Sequence, residues 1–233
     1  MLTVKGFQMA FKYWKMFLEG VVCTISLSAL TVIFGFILAL ILTLCRMGRS
    51  KILKAISTAY VEIVRATPMV VQIFIIFYIV FDGVKVLPGF KLFGFIRFDR
   101  FFPAVVALAL NSGAYLSEII RSGIQSIDLG QSEASRSLGL SQWKTMRFVI
   151  LPQAIKNILP AIANEFVTII KESAICFTIG VQDIMATVNA VKGATFRMGE
   201  ALIIATVLYF CLTFPTSKII EHFERKMSRG DVR

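Results

Sequence analysis

Charge is missing from long stretches of this chain. From Gly20 to Cys45, 26 residues pass without an Asp, Glu, Lys or Arg, and about 20 apolar residues suffice to cross a bilayer. Histidine is scarce as well: His222 is the single one, set among the charges of the tail, so neither a histidine metal site nor a serine hydrolase with a His base is supported. The four cysteines, Cys23, Cys45, Cys176 and Cys211, form no CxxC pair and lie in or beside apolar runs, where they read as small buried hydrophobes. No GxxxxGK[ST] loop is present, so this chain does not itself cradle nucleotide phosphates. The aspartates, Asp82, Asp99, Asp128, Asp183 and Asp231, fall in loops or near the ends of apolar runs, which removes an intramembrane aspartyl pair. The chain is not expected to be an enzyme or to bind a metal or cofactor.

What is abundant is apolar surface. The 233 residues are 57% hydrophobic with a mean hydropathy of +0.77, more than a soluble core of this length requires. Ala66–Phe81, Phe101–Ser117 and Ala201–Ser217 are also charge-free, and a further run from Pro152 to Phe177 is interrupted by Lys156, Glu165, Lys171 and Glu172. One such run alone reads equally well as a buried soluble helix. Five together predict an all-α membrane protein with about five spans, near 20–45, 58–81, 101–123, 152–177 and 200–219.

A net charge of +11 suggests nucleic acid in a soluble protein, but here the charges flank the apolar runs. Arg46, Arg49, Lys51 and Lys54 follow the first; Lys218, Arg225, Lys226, Arg229 and Arg233 follow the last. Five spans and the positive-inside rule place the loop after span one, the loop between spans three and four and the C-terminus in the cytoplasm, with 13 Lys and Arg inside against 9 outside. The N-terminus is then outside. Residues 1–19 read as an amphipathic interfacial helix or as an extension of span one, 20–220 as one transmembrane domain without internal repeat, and 221–233 as a basic cytoplasmic tail. The stretch at Gly20 is too long and starts too far in for a cleaved signal peptide.

Between spans three and four, residues 124–151 are too polar to cross and too varied to be disordered. Asp128 suits a helix cap, with Glu133 expected in the first turn, and Gly139 a left-handed terminus. Leu138, Leu140 and Trp143 then stand on a projection that fits either a partner's groove or the lipid surface.

This segment resembles the signature of bacterial importer permeases of the ATP-binding cassette class: Glu-Ala-Ala, three residues, Gly, nine residues, Ile, one residue, Leu-Pro. It reads here as Glu133-Ala134-Ser135, Gly139, Val149 and Leu151-Pro152, with Ser135 for Ala and Val149 for Ile. YVEIVRATPMVVQIFIIFY (Tyr60–Tyr78), NSGAYLSEIIRSGIQSI (Asn111–Ile127) and NEFVTIIKESAI (Asn164–Ile175) resemble blocks of the polar amino-acid branch. The resemblance implies a type I importer fold in the bacterial inner membrane. It further implies a coupling helix over about Gly130–Leu140 with Glu133, Ala134, Ser135, Leu138, Gly139 and Leu140 docking on a separate ATPase dimer that uses ATP. A second permease subunit, identical or related, and an extracytoplasmic amino-acid-binding protein are the other implied partners, with transport by alternating access.

A zwitterionic cargo needs donors for its carboxylate and acceptors for its ammonium. Intramembrane ionisable residues are functional candidates by default. Glu62 and Arg65 share a helix face ahead of Thr67 and Pro68, either as an internal clasp or as a substrate contact. Asn111, Ser112, Tyr115 and Glu118 line span three, where Gly113 and Ala114 permit close packing. Asn164, Glu165 and Lys171 lie in span four. Lys171 matches a carboxylate and Glu165 a cationic group, which favours arginine, lysine or histidine as cargo, with glutamine or glutamate as the alternative. A channel or secondary transporter is the rival class, but it lacks the expected paired repeats here.

Overall fold

Helix is the fate of almost every segment in this computed structural model, which describes residues 2–83 and 85–228. Arg229 and Arg233 of the expected basic tail lie outside the described residues. The elements run α1 (Val4–Phe11), α2 (Trp14–Met47), α3 (Lys51–Ala66) and α4 (Met69–Phe74), the last continued by a π-helical stretch, Ile75–Val80. A two-stranded hairpin, β1 (Lys91–Leu92) with β2 (Ile96–Arg97), leads into α5 (Phe98–Gln125). Then come α6 (Leu129–Ser137), α7 (Gln142–Thr145), a second π-helical stretch, Met146–Ile150, and α8 (Leu151–Glu172). A 3-10 stretch, Ser173–Ile179, precedes α9 (Ile184–Thr195) and α10 (Gly199–Ser228). Among the described residues three helices, α2, α5 and α10, are long and apolar enough to cross a membrane, and five crossings result if each of two bent pairs counts as one.

α2 meets its neighbours with small residues. Gly20, Thr24, Ser28, Thr31, Gly35, Ala39 and Thr43 recur at three- and four-residue intervals and are buried, whereas Ile33, Phe34, Ile37, Ile41 and Leu44 are exposed. Lipid tails solvate large aliphatic side chains as well as a protein interior does, so helices in a bilayer associate through close backbone approach. The principal partner is α5. A Cβ on Gly35 would lie 3.2 Å from Ser112 Cβ, and one on Gly113 2.7 Å from Leu38 Cδ2. Thr43 Oγ1 donates to the Ser117 carbonyl at 3.2 Å. Gly35 with Ser112, Thr43 with Ser117 and Arg46 with Glu118 advance together, so α2 and α5 run parallel.

The region expected as one span over 58–81 is two helices, α3 and α4, bent by 110°. Pro68 has no N–H to continue the ladder and forces the preceding residue out of the α region; Thr67 is extended, with φ −109° and ψ 143°. The crossing expected over 152–177 continues beyond it. After α8 and the 3-10 stretch the chain turns by 46° through residues 180–183 into α9. There Gly180 has φ +84° and a Cβ on it would strike Arg100, while Asp183 Oδ1 caps α9 by accepting from Ala186 N at 2.7 Å. α9 had no counterpart among the expected spans, because Asn189 and Lys192 break its apolar pattern. Its buried face, Ile184, Val188 and Val191, packs with Ala10, Phe17, Ala201 and Ala205. Residues 1–19 are divided between the two readings: α1 is a separate helix fastened to the α9–α10 corner, and Trp14–Glu19 belong to α2.

At the hairpin, Arg97 Nη2 pairs with buried Asp99 Oδ2 at 2.6 Å. That hydrogen bond holds the Arg97 guanidinium above its ordinary range.

A Cβ on Gly20 would meet the backbone of Asp183 and Ile184 at 2.9 Å, and backbone cannot swing aside. Gly20→Ala is expected to cost about 1–3 kcal/mol, read as a lower thermal midpoint of the detergent-solubilised protein. Gly113→Ala meets the Leu38 side chain, Cδ2 at 2.7 Å and Cβ at 3.1 Å, and since a side chain can yield where backbone cannot it should cost less; equal midpoints for the two variants would refute this account of the packing.

Candidate functional site

The segment following α5 folds as a capped projection. Asp128 Oδ1 accepts from Gly130 N at 2.6 Å and opens α6. At the other end Gly139, φ +84°, donates to the Arg136 carbonyl at 3.0 Å, and Leu140 N donates to the Ser135 carbonyl at 3.2 Å. This pair of bonds around a left-handed glycine is a Schellman cap. Glu133 sits mid-helix and not in the first turn, because α6 begins at Leu129; it is exposed, as is Ala134, while Ser135 is buried and donates to the Gln131 carbonyl at 2.6 Å. Leu138 is 85% and Trp143 62% exposed, with Arg147 over the Trp143 ring at 5.2 Å. Leu140 is only half-buried, whereas Leu129, which the sequence pattern did not single out, is 78% exposed.

The break between α3 and α4 is held by side chains. Pro68 leaves the Val64 carbonyl without its helical donor. Gln72 Nε2 supplies one at 2.7 Å, and also reaches Thr67 Oγ1 at 2.8 Å. Gln72 Oε1 in turn accepts from Asn111 Nδ2 of α5 at 3.0 Å, and Tyr60 on α3 donates to the Leu110 carbonyl at 2.8 Å. Asn111 and Thr67 therefore work first as struts. Glu62 and Arg65 do not clasp each other: among the described residues Glu62 has no ion-pair partner, and Arg65 lies over the Tyr115 ring at 5.4 Å. Glu62, Arg65 and Thr67 are all exposed.

Glu118 is paired on both oxygens, by Arg46 at 2.7 Å and by Arg121. Arg121 also donates to Gln125 Oε1 at 2.6 Å. A carboxylate engaged in this way at the α5 end nearest α6 joins α2 to α5.

Ser112 and Glu165 occupy similar heights. Counting back from Gln125 and forward from Leu151, each lies about 20 Å along its helix. Ser112 Oγ is buried without a hydrogen-bond partner, within electrostatic reach of the half-buried Glu165 carboxylate. Glu172 lies within reach of both Glu165 and Lys171. Asn164, Lys171 and Glu172 are exposed, which leaves one α8 face polar and uncovered by this chain. Ionisable side chains in a spanning helix turn towards protein or a water-filled cavity.

Residues 12–229 match the family described as binding-protein-dependent transport system inner membrane component. The chain belongs to that family. Permeases of this family are multi-pass membrane subunits, and the ATPase they work with is a separate polypeptide. The permease described here is 41% identical over 214 residues to the arginine transport system permease protein ArtQ of Bacillus subtilis, across 92% of this chain and 93% of that one. It is 36% identical over 210 residues to the putative glutamine transport system permease protein GlnP of Rickettsia typhi, across 90% and 92%. A chain from the crystal structure of an amino acid ABC transporter with histidines superposes on it with a TM-score of 0.87 and 39% identity, covering 97% of this chain and 100% of that one.

Two groups of polar residues in the permease emerged only from its structure: Gln72, and the Arg46–Glu118–Arg121 cluster. Gln72 had a legible signal, being the only side-chain amide in the run Ala66–Phe81 and four residues after Pro68. Gln72→Leu leaves the Val64 carbonyl and the Asn111 amide unsatisfied, and should lower stability by roughly 1–3 kcal/mol. The thermal midpoint of the solubilised permease checks it, and a midpoint equal to wild type would show that the break is held by something else.

Proposed function

We propose that this permease forms the pathway of an ATP-driven importer for a cationic amino acid such as arginine, lysine or histidine. The observation that carries the reading is Glu165: a half-buried carboxylate on α8, level with and beside the buried hydroxyl of Ser112. A carboxylate held there attracts an ammonium or guanidinium and repels an acidic side chain. Lys171, two turns further along α8, is exposed and suits the cargo's carboxylate. The ArtQ relative, named for arginine transport, supports this choice. The GlnP relative favours glutamine as a second reading, since an uncharged amide can also bond to Glu165 and Ser112.

The uncovered polar face of α8 argues for a second permease subunit across the pathway, the same chain or a relative. In the proposed arrangement α6 docks on the ATPase in the cytoplasm. The N-terminus lies outside the inner membrane, where the binding protein delivers cargo, and the C-terminus lies inside. ATP-driven closure of the ATPase pair would move α6 and pass the site from one side to the other.

Uptake of labelled arginine into proteoliposomes holding the permease, its ATPase and its binding protein tests the cargo. Excess lysine or histidine should compete and glutamine should not, and Glu165→Gln should lower arginine uptake about tenfold or more. Arginine uptake and selectivity unchanged in Glu165→Gln would remove Glu165 from the pathway. The coupling role is tested separately. Leu138→Asp with Leu129→Asp should abolish co-purification of the ATPase while membrane insertion is kept, and retained co-purification would sink that assignment.

A further inference from the structure

Asp183, in the turn between the 3-10 stretch and α9, is 0% exposed. Its Oδ1 caps α9, but Oδ2 is buried with no hydrogen-bond partner. Two other oxygens share that condition, Thr24 Oγ1 on α2 and the hydroxyl of Tyr209 on α10. Tyr209 lies close to Thr24 and within electrostatic reach of Asp183. A buried side-chain oxygen without a partner is uncommon, and three in one place call for an explanation.

The elements around these oxygens are tightly joined. A Cβ on Gly20 of α2 would lie 2.9 Å from the Asp183 carbonyl, and Tyr209 packs on the cluster that holds Phe17 and Ile184. Cys23 of α2 and Cys176 of the 3-10 stretch, both fully buried, are also within electrostatic reach of Asp183. The groups facing the carboxyl are thus hydroxyls and thiols. Charged side chains on the same elements are engaged elsewhere or lie at the surface. Glu19 on α2, Lys171 and Glu172 at the end of α8, and Lys192 on α9 are exposed. Glu200 on α10 pairs with Arg197. Arg100 of α5 approaches Gly180 but donates to the Ile179 carbonyl at 2.9 Å. Among the described residues no cation pairs with Asp183.

An ionised Asp183 would accept from both hydroxyls and gain from the N-terminus of α9. It would also bury a full charge with no counter-charge, and that cost is the larger of the two. The neutral acid keeps the Oδ1 cap, and its Oδ2–H meets the hydroxyl oxygens as a donor. We propose that Asp183, Thr24 and Tyr209 form a buried proton-binding site that ties α9 and α10 to α2. The proton is a structural ligand taken from solvent, and its loss loosens the junction of the three helices. Cys23 stands about 35 Å along α2 from Arg46, so the site lies at the end remote from α6 and is independent of Glu165 and of the cargo.

In the unfolded chain this carboxyl is ionised above about pH 4, whereas the folded chain holds its proton. Folding therefore takes up a proton, and stability falls as pH rises. Infrared spectra and thermal midpoints of the solubilised full-length permease test the site. At about pH 6 the wild type should show the C=O stretch of a protonated carboxyl, shifted in D2O, which Asp183→Asn lacks. Asn keeps the cap and offers an N–H in place of the acid's O–H. The midpoint of Asp183→Asn minus that of wild type should therefore grow by about 5 °C between about pH 5 and about pH 9. Tyr209→Phe and Thr24→Val should each move the infrared band. The same spectrum in wild type and Asp183→Asn overturns the proposal, as do midpoints that run parallel with pH. A wild-type midpoint raised by sodium chloride but not by choline chloride overturns it too, by assigning the three oxygens to a metal cation. Should Asp183→Asn fail to insert, a band unmoved in both Tyr209→Phe and Thr24→Val overturns it on its own.

Discussion

The structure depends on the close approach of α2 and α5. Small residues along one face of α2, with Gly113 and Ser112 opposite, bring two parallel helices near enough for Thr43 to reach a backbone carbonyl of its neighbour. In lipid this proximity is the main source of helix association, since burying a leucine against protein gains little over leaving it in hydrocarbon. Arg46, Glu118 and Arg121 close the pair at one end. α3 and α8 then pack on α5, and α9 packs on α2. The candidate site side chains of α5 and α8 owe their heights to this central pair.

The two bent crossings have a common logic. A helix interrupted inside a bilayer exposes donors and acceptors that water cannot reach, and each break here has dedicated partners. Gln72 and Asn111 serve the break at Pro68. At the second break Arg100 donates to the Ile179 carbonyl at 2.9 Å and Asp183 caps the next helix. A cation thus meets a helical C-terminus and a carboxyl oxygen an N-terminus, the favourable sense for the helix dipole. Gln72 and Asp183 lie within a few residues of the breaks they serve, whereas Asn111 and Arg100 reach them from 39 and 79 residues away.

Much of the architecture was legible because membrane solvation imposes long charge-free runs. The run Gly20–Cys45 marked α2, and Asp128 and Gly139 marked the ends of α6 through their capping chemistry. What escaped the sequence depended on distance between elements. α9 is too polar to be counted as a crossing, yet it is buried because three other helices cover it. Spacing along α3 put Glu62 and Arg65 on one face, but Arg65 turned to Tyr115 of another helix. Glu118 read as a candidate substrate contact in span three, and its pairing with Arg46, 72 residues away, was not visible in the spacing. Pattern locates an element and its faces; partners across elements are set by packing that periodicity does not contain.

The Schellman cap at Gly139 bears on the stiffness of α6. A helix whose terminal carbonyls are satisfied resists fraying, and α6 is only nine residues long, too short to curve appreciably. Ser135, near its C-terminal end, is buried, and the chain passes within a few residues into the π-helical stretch that starts the α8 crossing. α6 is thus a short, capped helix, and its C-terminal end stands a few residues before the π-helical stretch that leads into the helix carrying Glu165.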